Sequence, residues 1–290
     1  MMGLTRVSFR TRAVRAGLLP ACLSFLVVAI STTDARGAQF TLIDDNSTAM
    51  IDTEAQAGVH TWTVGGISQV FQQWFWYRVG DGPEASIDTL LIDLEGTTDT
   101  NFDGDVDTLF VRYLGQGFEI ESRFTLDGGL PGSDASDMAE QISINNTGDS
   151  DLDFHFFQYS DFDLEGDSAS DQVVFTNANA VQQFKSNLRL TETVITPLPS
   201  HREADFHPTT LNSLNDGAAT TLSDTPLGVI VGPGDVTWAY QWDFVLTPGN
   251  TFQISKDKNL SAIPEPSTFA LAALAIAALA GYGRRRRRQV

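Results

Sequence analysis

The chain predicts an all-β fold, a β-sandwich with the jelly roll as one form of it, on three observations. Apolar residues alternate with period two in several runs, Gly- and Asp-rich turns separate those runs, and no stretch shows helical periodicity of useful length. The clearest run is 236–246, where Val236, Trp238, Tyr240, Trp242, Phe244 and Leu246 alternate with Thr237, Ala239, Gln241, Asp243 and Val245. Strands with one apolar face bury it best in two sheets packed face to face.

The elements follow in chain order. Arg6, Arg10, Arg12 and Arg15 precede an apolar stretch from Ala16 to Ile30, and Thr33, Ala35, Gly37 and Ala38 supply small residues. This is the layout of a secretory signal peptide over 1–38, with cleavage after Ala35 and after Ala38 both fitting. Leu19-Pro20-Ala21-Cys22 mimics a lipoprotein box, but proline occupies a small-residue slot and the strongest apolar run lies beyond the cysteine. Cys22 is the only cysteine and leaves with the leader, so the body, 39–255, has no disulfide or thiol chemistry. Val70 to Val79 is aromatic on both faces, which suits a central strand covered by two layers. Phe118, Ile120, Phe124 and Leu126 mark another strand, as do Ile142 with Ile144 and Leu152 with Phe154 and Phe156. Asn145 to Asp149 turns between the last two. Residues 196–234, punctuated by Pro197, Pro199, Pro208, Pro226 and Pro233, read as a long excursion between strands. Pro248-Gly249-Asn250 predicts a hairpin joining the Trp-rich strand to Phe252 and Ile254, and 256–262 reads as a spacer.

Charge narrows the partners. Without the leader and tail, the body holds eight basic and 35 acidic side chains, a net of −27. Such a surface repels nucleic acid and anionic membranes, and favours solubility, divalent cations and neutral or cationic material.

Three groupings offer chemistry. Asp99, Asn101, Asp103, Asp105 and Asp107, with Gly104 at the sixth position, fit the first half of a calcium loop. Over nine residues the stretch resembles EF-hand and dockerin-type loops. Phe110 stands where the bidentate acid belongs and Leu109 to Tyr113 reads as a strand, so a Ca2+ site here needs a distant acid. An acidic hairpin turn is the plainer reading. Asp161, Asp163, Glu165, Asp167 and Asp171 form a second acidic cluster with poorer ligand order. His201, Glu203, Asp205 and His207 share one face of an extended chain, about 6.5–7 Å apart, so two of them could hold one ion. Triads, nucleophile elbows, HExxH and phosphate-binding glycine loops are missing, and no catalytic residue is assigned. Trp62, Trp74, Trp76, Trp238 and Trp242 could stack on sugars, but their alternation favours burial.

The C-terminus is the most specific stretch. Pro264, Glu265 and Pro266 precede an apolar segment of about 15 residues, short of the roughly 20 that span a bilayer, and then Arg284 to Arg288. Residues 263–290 resemble the sorting signal of PEP-CTERM proteins, the substrates of exosortase. The resemblance implies export through the Sec machinery, a transient membrane anchor, exosortase cutting near Pro264, Glu265 and Pro266, and an envelope or extracellular destination. It says nothing of what the body does. The expectation is a non-enzymatic surface or extracellular-matrix protein. The alternatives are a carbohydrate-binding β-sandwich, with or without calcium, that meets extracellular polysaccharide, and a polysaccharide hydrolase whose carboxylates carry no motif.

Overall fold

A computed structural model describes residues 38–263, 271–272 and 274–276. The predicted leader up to residue 37, the Pro264-Glu265-Pro266 motif and the arginine tail lie outside the described residues. Among the described residues no helix is long and apolar enough to cross a membrane.

The described chain forms two sheets. Its strands are β1 (Gln39–Asp44), β2 (Ser47–Asp52), β3 (Gly58–Val64), β4 (Ile67–Ser68), β5 (Gln72–Val79), β6 (Ala85–Ser86), β7 (Leu91–Thr98), β8 (Thr108–Leu114) and β9 (Phe118–Gly128). They continue with β10 (Ser136–Asn146), β11 (Leu152–Asp161), β12 (Asp171–Asn177), β13 (Ala180–Lys185), β14 (Leu188–Thr196), β15 (His201–Phe206), β16 (Ile230–Gly234), β17 (Val236–Leu246) and β18 (Thr251–Ala262). A short helix, α1 (Thr209–Leu214), lies between β15 and β16, and residues 271–272 and 274–276 are helical. The first sheet runs β1-β2-β3-β5-β11-β17-β15, with β4 on β3 and β6 on β5. The second runs β16-β12-β13-β14-β18-β10-β9-β8-β7. The architecture is thus a β-sandwich, with sheets of nine strands each, larger than those of an eight-stranded jelly roll.

Aromatic packing explains why β5 sits in the middle of its sheet. Phe75 meets Phe124 of the second sheet at 6.1 Å between ring centroids. On the opposite face Trp76 Nε1 donates to Asn215 Oδ1 at 3.2 Å, just after α1. Leu214 and Leu222, both buried, come from the same excursion. The stretch 196–234 therefore supplies the second covering layer and also contributes β15, α1 and β16.

Two sequence expectations change. The link at Pro248 to Asn250 does not close a hairpin: β17 belongs to the first sheet and β18 to the second, so the chain crosses between layers there. Alternation places a strand's apolar face but does not choose its partner. The crossing lies beside that from β10 to β11, and Asn146 joins them. Its Nδ2 donates to Leu246 O at 2.7 Å and Ser150 O at 2.8 Å, and its backbone exchanges hydrogen bonds with Gly249 and Asn250.

The second change is at 256–262, which is no spacer but the latter part of β18, between β14 and β10. Ile254, Lys256, Lys258 and Leu260 point inward. Both ammonium groups pair with Glu140, and Glu192 Oε1 stands 3.5 Å from Lys256 Nζ and 3.7 Å from Lys258 Nζ. Glu192 also accepts from Gln158 Nε2 at 2.8 Å and Trp238 Nε1 at 3.0 Å. Burial pushes the Lys256 ammonium down to about 8, against the pull of Glu140. The charges are two against two, so an inward Lys pair is tolerated where hydropathy alone suggests solvent.

Candidate functional site

Three chain segments end at one corner of the first sheet. Asp161 is the last residue of β11, His207 follows β15, and Asp235 sits between β16 and β17. The registers Asp161↔Thr237 and Phe206↔Val236 on the shared neighbour β17 force this meeting. Phe71, just before β5, joins them: its N–H donates to Asp161 O at 3.0 Å.

Asp161 is 1% exposed. Its Oδ2 accepts from His207 Nδ1 at 2.8 Å and from the Tyr159 hydroxyl at 3.2 Å. Its Oδ1 has no hydrogen-bond partner. The His207 backbone N–H donates to Asp235 O at 3.0 Å, which fixes the two segments to each other. One ligand atom from each of Asp161, His207 and Asp235 lies within 4.8 Å of the others. Phe71, Asp161, Asp163, Ser168, His207 and Asp235 line a cavity of about 140 Å³ here.

The electrostatics are lopsided. Burial raises the Asp161 carboxyl to about 6, the charge of Asp235 adds to the rise, and His207 opposes it. Asp163 is raised for the same first two reasons. Three carboxylates therefore face one imidazole in a partly desolvated recess.

Phe71 also lines a second recess of about 580 Å³, together with Gln39, Ala57, His60 and Gln72. The ring is 55% exposed and stands edge-on to His207, 6.0 Å between centroids at 88°. The two recesses share this aromatic ring as a wall.

The sequence-predicted residues are distributed as follows. Asp99, Asn101, Asp103, Asp105 and Asp107 lie in and beside the loop between β7 and β8. Asp99 accepts the N–H groups of Phe102 at 2.6 Å and Gly104 at 3.0 Å, and Asp103 accepts that of Asp105 at 2.9 Å. Buried Asp107 accepts from Thr100 and Asn101, and Asn101 Nδ2 donates to Asp44 Oδ1 at 2.8 Å. These side chains shape the loop backbone. From the second cluster only Asp161 and Asp163 reach the cavity; Asp167 pairs with Lys185 at 2.5 Å and buried Asp171 is pushed up to about 7 by desolvation. From the third, His207 alone joins them. His201 bridges Asp224 at 2.8 Å and Asp243 at 3.3 Å, and Glu203 accepts from Thr210 and Ser223. All five tryptophans are 1% exposed or less, so none forms a sugar platform. Sequence reasoning does not find Asp235 and Phe71, because neither carries a local signal and only the pairing across β17 and the position of β5 bring them here.

The profile of a known sorting motif matches the chain from 262 to 288. These residues carry the PEP-CTERM protein-sorting motif. The motif implies an exported, envelope-directed protein processed by exosortase. No curated protein matches the chain. Among solved structures, the chain resembles a putative aldose 1-epimerase from Escherichia coli K12 (8% identity, TM-score 0.47, covering 78% of this chain and 99% of that one). It also resembles a bacterial glucoamylase complexed with acarbose (10% identity, TM-score 0.46), covering 83% of this chain but only 32% of the glucoamylase. A GalM/aldose epimerase homologue from Caenorhabditis elegans overlaps at 8% identity and TM-score 0.46, covering 78% of this chain and 99% of the homologue. These similarities to enzymes correct the expectation of a non-enzymatic surface or matrix protein. At such identity and overlap they concern architecture alone, and no reaction or substrate is taken from them.

Proposed function

We propose that the exported body binds a neutral polysaccharide at the two recesses that share Phe71. The observation that carries this reading is the ring itself, 55% exposed yet held at the start of a buried central strand, and lining both recesses. An aromatic face suits the apolar C–H face of a sugar ring, while Gln39, His60 and Gln72 in one recess and the carboxylates and His207 in the other offer partners to hydroxyls. Two recesses sharing one ring fit a chain of sugar units better than a single one. The body's net of −27 favours an uncharged glycan over a polyanion. In this reading the Sec route and a transient C-terminal anchor deliver the body to the polymer outside the cell.

Affinity electrophoresis of the full chain through gels containing neutral or polyanionic polysaccharides tests the proposal. Retardation by a neutral polymer, weakened about tenfold or more in Phe71→Ala, is the expected result. Unaltered mobility in every gel, or equal retardation of wild type and variant, would remove it.

A further inference from the structure

The corner formed by Asp161, His207 and Asp235 has features that saccharide binding does not require. A carboxylate 1% exposed keeps one oxygen, Oδ1, without any partner, although buried polar atoms are almost always satisfied. The same side chain lines a cavity of about 140 Å³, enough for an ion with bound water. Its neighbours Asp163 and Asp235 add negative charge, and His207 is the one cationic partner that acts on Asp161 itself, Lys185 reaching only Asp163. An unpartnered buried oxygen, excess negative charge and space together suit a cation.

We propose that Asp161, His207 and Asp235 bind one divalent cation of the Mn2+ to Zn2+ type. Their ligand atoms already lie within 4.8 Å of one another. The donor set decides the class: carboxylates alone suit Ca2+ and Mg2+, while an imidazole beside two carboxylates suits manganese or zinc. Tyr159, whose hydroxyl donates to Asp161 Oδ2 at 3.2 Å, orients that carboxylate from behind. Ser168 lines the same cavity, and its remaining volume leaves room for bound water. Binding does not depend on the saccharide reading, because no sugar takes part.

Isothermal titration of the chelator-treated full chain with Zn2+ or Mn2+ alone tests the site. One saturable ion per chain is expected, with affinity at least about tenfold weaker in His207→Ala and in Asp235→Asn. Asp235 lies in a half-exposed turn, so D235N keeps the test decisive if H207A fails to fold. Ca2+ serves as the comparison ion, and Asp103→Asn reports on the loop between β7 and β8. No saturable binding, unchanged binding in both H207A and D235N, or loss only in D103N would each overturn the proposal.

Discussion

The molecule holds two buried polar clusters that differ in charge balance and access. Between the sheets, Lys256 and Lys258 face Glu140 and Glu192, all four at or near zero exposure. At the corner of the first sheet, Asp161, Asp163 and Asp235 share His207, with Lys185 acting on Asp163 alone among them, and a cavity opens beside them. The balanced cluster sets each charge against an opposite one, and Glu192 Oε1, though it accepts no hydrogen bond, lies within 3.7 Å of both ammonium groups, so the cluster serves cohesion. The unbalanced one leaves an acceptor unanswered, which is costly for folding alone and useful for holding a ligand.

The largest effect should come from breaking the balanced cluster. Lys258→Met leaves two carboxylates sharing one ammonium in the interior, and chemical denaturation should show a loss of about 3–5 kcal/mol. A loss under about 1 kcal/mol would mean that the pairing contributes little. Asn146 supplies an uncharged reference between these cases. Asn146→Ala removes three side-chain bonds at the paired crossings, to Leu246 O and Ser150 O and from the Gly148 N–H, and should cost about 2–3 kcal/mol by the same measurement.

The unbalanced cluster should respond differently. In metal-free buffer Asp235→Asn removes a like charge from beside Asp161, so stability should change by less than about 1 kcal/mol or rise slightly. A loss as large as that of K258M would make the corner structural and collapse the contrast.

The smallest effect concerns pH. Asp137, on β10, is raised from 3.8 to about 7 by burial and by sharing a hydrogen bond with Asp257. The folded chain keeps a proton that the unfolded chain releases between about pH 4 and 7, so this residue's contribution to stability falls as pH rises through that window. Solvent screening keeps the effect modest. Asp137→Asn should raise Tm by about 1–3 °C at pH 8 and leave it unchanged near pH 4.

Sequence and structure agree where one rule controls the outcome. Period-two alternation placed β17 at 236–246 and the strand beginning at Phe118, and the doubly aromatic run around Trp74 and Trp76 did become a strand covered on both sides. The rule failed where partners lie far apart in the chain. Lys256 and Lys258 read as a solvated spacer because their counter-charges, Glu140 and Glu192, are more than sixty residues away. The corner site was legible only in pieces. Asp161 and His207 each drew notice in separate clusters, but Asp235 had no local signal, and only the register across β17 brings all three together.

The inward turn of β18 has a chemical consequence at the outer surface. The sequence contains three lysines, Lys185, Lys256 and Lys258, and the fold hides each of them. In its native state the body therefore shows solvent no side-chain primary amine, and its exposed cations are arginines. Acylating reagents, aldehydes and lysine-seeking crosslinking enzymes would find only an α-amino terminus until the sandwich opens, so lysine modification becomes a direct reporter of unfolding.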